Sequence, residues 1–288
     1  SSYSDGESGS YRIASNGFEG ERRGTCFALS ASVALRGEGE ARPSGYSYIS
    51  SLRYDQLPTE GYGQLAYQRA LRKIGQRKAP SGRYTLVVDS RCVRQLLNPM
   101  VNALYGPALH QQNSFLLDRL GKQVGSSRFT LLDEPHLIGA NGARYFDGEG
   151  VATRPMTVFD AGTLRTYYID TYCARKMEVE PTIASPSLLV LAPGAQTQEE
   201  LIAEVTHGLF VTGFNGGNCN SSTGDFSYGI EGFLIENGQL TQPVNEMVVT
   251  GNMIDLWQHL AAVGNDARME SNWRIPTLTF EGVTASGC

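Results

Sequence analysis

The sequence predicts an α+β fold whose C-terminal half is a largely antiparallel β-sheet with several packed helices. Two long runs, residues 226–236 and 239–249, are apolar at alternate positions, the period of a half-buried strand. Asn237-Gly238 sits between them as a two-residue hairpin turn. Helical patterns are short and scattered, with too few regular βαβ alternations for a doubly wound sheet.

The opening stretch, SSYSDGESGSYRIASNGFEG, is polar and small and reads as a linker or a processing boundary. TCFALSASVALRGEGEARPSGYSYISSLRYDQL then gives two alternating strands around a polar loop at 36–45, a long hairpin with one wet face. A helix follows over about residues 61–75, with Leu65, Ala66, Ala70, Leu71 and Ile74 on one side and Gly75 as its stop. RYTLVVD is a short buried strand ending at Asp89. Two helical patterns come next, RCVRQLLNPMVNALYG, where Pro99 forces a boundary or kink, and QNSFLLDRLGKQV. From Phe129 strands dominate. MTVFDAGTLRTYYID is a hairpin turning at Asp160-Ala161-Gly162, and SLLVLAPG is a strand. Thr197-x-x-Glu200 is a capping box and opens a helix. LFVTGF returns to strand before the long hairpin, a last helix capped by Asn252 covers about residues 252–263, and PTLTFEGV closes as a strand.

Composition bounds the function. A chain of 288 residues suffices for one large domain or two ordinary ones. Its 24 basic residues against 29 acidic ones leave a net charge of -5, which points away from a protein that binds nucleic acid through its phosphates. No apolar run approaches the ~20 residues that cross a bilayer, and no signal segment opens the chain. The five cysteines, Cys26, Cys92, Cys173, Cys219 and Cys288, are scattered without a CxxC, which suits a reducing cytoplasm better than a disulfide framework.

Local chemistry names no catalytic residue, metal site or cofactor. The four histidines, His110, His136, His207 and His259, never fall at i, i+3 or i+4, and HExxH and HExxxH are both absent. His207 reads as a helix C-terminal residue beside the dipole. Cys219 has no histidine near it in sequence, there is no GxSxG elbow, and Ser1 would need a processed precursor to act as an N-terminal nucleophile. GFNGGN is not GxGxxG and leads into a strand pattern, so it lacks a helix N-terminus for a phosphate. Asp133, Glu134, Asp147 and Glu149 read as residues of solvated turns rather than an acid–base pair.

Read in order, SGRYTLVVDS, SFLLDRLGKQVGSSRFTLLDEPHL, FDGEGVATRPMTVFDAGTLRTYYIDTYCARKM and, above all, TGDFSYGIEGFLIENGQLTQPV resemble the TldD/PmbA family, and more closely its PmbA (TldE) branch. That family pairs a metalloprotease subunit, bearing an HExxxH helix and a later cysteine ligand, with a related subunit lacking those ligands. The pair is associated with peptide trimming, including microcin maturation and antitoxin degradation, and older descriptions call it a modulator of DNA gyrase. The resemblance places MVNALYG on the HExxxH helix, with Met100, Val101 and Tyr105 where ligands and catalytic acid would be, and puts the cysteine's place near 264–266. None of these rebuilds a zinc site. The resemblance therefore implies a non-catalytic subunit whose partners are a TldD-like HExxxH chain, or itself as a homodimer, and an unfolded peptide. Other readings are a homodimeric peptide-binding protein without protease activity, or a hydrolase with an unrecognised site.

The family carries a further N-terminal α/β domain. Residues 1–80 then read as a hairpin and helix linking from it, and 81–288 as the PmbA/TldE-like C-terminal domain. EPTIASPSLLVL is shorter than the family's Gly- and Ser-rich stretch, so residues 182–187 are expected to be a mobile loop or a deletion. GFNGGNCNSSTGDFSYGIEG, residues 213–232, reads as strand, tight Gly/Asn loop and hairpin. It either shapes the sheet and the subunit contact, or lines a groove for an extended peptide through Asn218, Asn220, Thr223 and Asp225.

Overall fold

The computed structural model describes residues 1–37, 42–58 and 60–287; part of the predicted 36–45 loop and Cys288 lie outside them. The first part of the chain folds as β1 (Ser2–Ile13), β2 (Glu19–Ala34), β3 (Ser44–Ser51) and helix α1 (Tyr62–Leu71). The three strands form one antiparallel sheet in the order β1-β2-β3. The predicted hairpin is β2–β3. The polar opening stretch is not a linker but a full strand, running from Ser2 opposite Ser30 to Ile13 opposite Glu19. All twelve of its residues are exposed. A strand that buries no side chain carries no period-two apolar signal, and here the backbone ladder alone orders it.

The rest supplies β4 (Gly82–Val88), α2 (Arg94–Asn102), α3 (Gly106–His110), β5 (Leu131–Asp133), β6 (Met156–Asp160), β7 (Thr163–Leu164), α4 (Thr171–Met177), β8 (Leu189–Leu191), α5 (Gln198–Ala203), β9 (His207–Cys219), β10 (Asp225–Glu236), β11 (Gln239–Asn252), α6 (Met253–Gln258), β12 (Leu260–Val263), β13 (Trp273–Arg274) and β14 (Leu278–Ser286). A six-stranded sheet has the order β11-β10-β9-β4-β14-β12, and β14 also pairs with β11, so five of its strands close on themselves. Within it β4–β9 is parallel and the other pairings are antiparallel. A second sheet runs β13-β8-β5-β6-β7. One buried cluster joins the two, from Leu86 and Leu209 through Leu97, Met100 and Trp257 to Leu131, Phe159 and Leu189. No helix among the described residues is long and apolar enough to cross a membrane.

The turn chemistry behaves as the sequence predicts. Asn237 and Gly238 adopt φ 48° and 77°, and Ala161 and Gly162 adopt 45° and 81°, the paired positive φ of type I′ turns. Thr197 accepts from the Glu200 N–H while Glu200 accepts from the Thr197 N–H, the full capping box. Three helical expectations change. Pro99 sits inside α2 rather than at its boundary. QNSFLLDRLGKQV is a chain of turns, because Gln112, Asp118 and Gly121 take φ of 54°, 56° and 76° and Gln123 bridges to Thr163. The last helix stops at Gln258. Leu260 and Val263 are drawn off as β12, paired to Phe280 and Leu278.

The segment 182–187 is pinned rather than loose. The Thr182 hydroxyl donates to the Tyr167 carbonyl at 2.7 Å, the Ala184 N–H to Asp147 at 2.9 Å and the Ser187 N–H to Asp133 at 3.1 Å, with Ile183 buried. The acceptors correct another expectation. Asp133 and Asp147 are 0% and 1% exposed, not solvated. They serve backbone N–H groups across sequence gaps that no local pattern reveals.

Candidate functional site

Helix α2 and the turn after β9 meet at a cavity of about 370 Å³. Its walls include Asn98, Pro99, Asn102 and Ala103 from α2 and its end, and Cys219, Ser221 and Tyr228 from the β9–β10 hairpin. Met100 and Val101 point the other way, fully buried in the core. Tyr105 is half-buried and bridged to Tyr168. Met100, Val101 and Tyr105, which the resemblance sets at the ligand positions, therefore do not line this cavity. The cavity-facing register with the same i, i+1, i+5 spacing is Asn98, Pro99 and Ala103. An amide, a side chain closed on its own nitrogen and a methyl do not fit a zinc ion, which takes imidazole, thiolate or carboxylate. Residues 264–266 stay outside this cavity: Gly264 donates to the Thr277 carbonyl, and Asp266 accepts from the Thr277 N–H and hydroxyl, both at 2.8 Å.

Cys219, at the cavity's edge, has its thiol pushed up to about 11 by burial and by the nearby Asp225, which keeps it protonated and unreactive at neutral pH. The histidines are dispersed. His207 opens β9 rather than closing a helix, with its ring 4.7 Å from that of Tyr84. His110 ends α3, His136 lies 3.3 Å from the Thr153 hydroxyl, and His259 caps α6, 2.7 Å from the Asp255 carbonyl. No group of three or more His, Cys, Asp or Glu side chains that could hold a metal gathers among the described residues. Protein washed with a mild chelator is expected to carry no stoichiometric zinc. Elemental analysis finding one zinc per chain would overturn this account of the α2 face.

Three of the four predicted groove residues come together, as one turn. The Asn220 side chain accepts from the N–H groups of Ser222 (2.9 Å) and Thr223 (3.3 Å). The Thr223 hydroxyl donates to Asp225 at 2.7 Å. Hydrogen bonds from Asn252 and Thr223 hold the Asp225 carboxyl below its ordinary value. Asn218 stands apart, exposed on β9 opposite Ser227. Gly217 (φ 100°) lets β9 and β10 approach, since a Cβ there would lie 2.0 Å from the Ser227 carbonyl oxygen.

Two organising residues have no place in the sequence-based site. Asn252 caps α6 through its oxygen and, through its amide, holds Thr223 and Asp225. Its role as a cap was the available signal. Asn113 accepts from the hydroxyls of Ser221 (2.7 Å) and Ser222 (2.6 Å) and ties the turn to the loop after α3. That contact spans more than a hundred residues and has no local signature.

Comparison with known proteins gives concordant matches. The sequence model for the PmbA/TldA metallopeptidase C-terminal domain matches residues 81–287, and that for the central domain of the same family matches 1–74. The Escherichia coli O157:H7 protein named metalloprotease PmbA is 30% identical over 266 residues, covering 91% of this chain and 59% of that protein. A Bacteroides thetaiotaomicron crystal structure, described as a candidate modulator of DNA gyrase, superposes with TM-score 0.98 at 60% identity, over 99% of this chain and 65% of that one. TldE from Thermococcus kodakarensis superposes at 0.89 with 21% identity, over 99% and 68% of the two chains, a likeness of fold. The chain thus spans about three fifths of the curated relative's length.

Proposed function

Because the chain belongs to the PmbA/TldD metallopeptidase family, we propose that it is a non-catalytic, PmbA/TldE-like subunit of the cytoplasm. In this role it pairs with a TldD-like, HExxxH-bearing chain and helps to hold unfolded peptide for trimming. The observation that carries this is the α2 face. The helix borders a cavity as a ligand-bearing helix would, yet presents Asn98, Pro99 and Ala103 at the metal-binding spacing. Peptide is the fitting ligand class because β9 beyond Val211, past the end of its pairing with β4, offers extended backbone with Asn218 exposed on it and the turn of Asn220, Thr223 and Asp225 beside it.

The contact with the partner would bury more than about 1,000 Å². The edge of β11 is not free to supply it, since Arg77 bridges to Val244 and β14 pairs with Val248–Thr250. The turn near 213–224 and the outer edge of β1 fit better: β1 pairs only with β2 among the described residues.

The test is reconstitution. This chain alone should leave an unstructured peptide intact, and a mixture with an HExxxH-bearing relative should co-elute as a pair and cleave it. Cleavage by this chain alone, or a mixture that stays apart at micromolar concentration, would refute the proposal.

A further inference from the structure

A second cleft, of about 560 Å³, opens between the β3–α1 layer and the outer face of the six-stranded sheet. Its floor is Phe210 and Thr212 of β9 with Glu231 and Phe233 of β10, and Tyr46, Tyr48 and Tyr62 stand on the opposite wall. The Tyr46 and Tyr48 rings stack with centroids 6.4 Å apart and planes inclined by 11°. Five cations line it: Arg69, Arg72, Lys73, Arg91 and Arg268.

Three of these cations are matched by carboxylates. Lys73 meets Glu231 at 2.6 Å and Arg268 meets Glu270 at 2.6 Å. Arg91 grips both oxygens of the buried Asp89 at 2.8 and 2.5 Å. Asp266, in the adjoining recess, is held by Thr277. Arg69 and Arg72 are left without a carboxylate partner among the described residues. Arg69 donates to the Tyr46 carbonyl at 2.7 Å, and the exposed Arg72 guanidinium lies 4.7 Å from the centroid of the Phe233 ring. Burial first, and then the nearby Arg91 charge, brings Arg69 down to about 10, against the opposing pull of Asp89, which Arg91 already grips.

Two guanidiniums one helical turn apart suit a planar carboxylate, which takes paired N–H donors in a fixed fork. The other three cations already face carboxylates, which leaves Arg69 and Arg72 as the cations open to an incoming anion. The tyrosines and the two phenylalanines flank that position with apolar surface.

We propose that this cleft receives the C-terminal carboxylate of an extended peptide, held by Arg69 and Arg72, with the last side chain against Phe210, Phe233 and the tyrosine wall. The proposal rests on the peptide-handling reading above and names the part of the substrate that this chain grips.

The test is a fluorescence-anisotropy titration of the protein with three versions of one unstructured decapeptide ending in leucine. One has a free C-terminal acid, one a C-terminal amide, and one an amide with a glutamate at the ninth position. The free acid should bind best, and amidation should weaken binding about 10- to 100-fold, the worth of a charge-assisted pair. R72Q, at an exposed position, should weaken the free acid by a similar factor and leave the amide unchanged, and R69Q should act in the same direction. Equal binding of acid and amide, or R72Q binding the acid as wild type does, would overturn the cleft assignment and leave peptide handling standing. A glutamate-bearing amide that binds as well as the free acid would replace the C-terminus with an acidic side chain as the group recognised. Binding of none of the three would overturn both readings.

Discussion

Replacing Asp133 with alanine is expected to destabilise the protein by about 3 kcal/mol or more, because it leaves three buried donors without an acceptor at about 1–3 kcal/mol each. The carboxylate is fully buried and accepts from the N–H groups of Ser187 (3.1 Å) and Leu188 (3.0 Å) and from the Tyr168 hydroxyl (3.3 Å). Alanine leaves those donors facing a dry cavity and frees β8 from the end of β5. Chemical denaturation measures the loss, and a change below about 1 kcal/mol would show that these bonds do not hold the segment 182–187. The pH dependence supplies a second readout. Burial raises the Asp133 carboxyl above its ordinary 3.8, against the opposing pull of Leu188, Ser187 and Tyr168. A folded value above the unfolded one contributes stability that is whole below 3.8 and lost as pH rises through the folded value. D133N cannot ionise, so its deficit relative to wild type should narrow as pH rises across that window. A deficit that widens instead would mean the carboxyl is held below 3.8.

Gly45→Val is expected to detach α1 from β3 and to cost about 2–3 kcal/mol, at the upper end of the overpacking range. A Cβ at Gly45 would lie 2.0 Å from the Ala66 carbonyl oxygen and 2.5 Å from the Ala70 nitrogen, backbone atoms that cannot swing aside. Ala66 and Ala70 are themselves wholly buried, and Ser47, two residues along the strand, donates to the Tyr62 carbonyl at 2.7 Å. Helix and strand therefore meet backbone to backbone. Limited proteolysis should cut α1 faster in the variant, and binding of the free-acid peptide should fall with it because Arg69 and Arg72 ride on that helix and its end. Unchanged protease resistance and stability would show that the contact is dispensable.

Features that depend on a few neighbouring residues were legible in the sequence. Asn237-Gly238 is a turn because both residues tolerate positive φ, Gly162 marks the turn after β6 for the same reason, and Thr197 with Glu200 caps a helix because both groups lie within one turn. The alternation in β10 and β11 follows from one face being buried. The ordered motifs were enough to point to the family. The sequence could not set the register of α2. Met100 and Val101 face the core while Asn98 and Pro99 face the cavity, and only the packing of α2 against both sheets decides which face looks outward.

Contacts between distant segments decided the rest. β1 buries no side chain, so no pattern announces it, and its order comes from β2. Asp133 and Asp147 look like turn residues until 184, 187 and 188 bring their N–H groups to them. The predicted groove residues Asn220, Thr223 and Asp225 are tied into their own turn by Asn252 and Asn113. The arginine cleft unites side chains from β3, α1, β9, β10, the turn after β4 and the 268–270 loop. A one-dimensional pattern records which face of an element is apolar. Which faces meet, and which charges are left without a partner, depends on long-range packing that the sequence specifies only collectively.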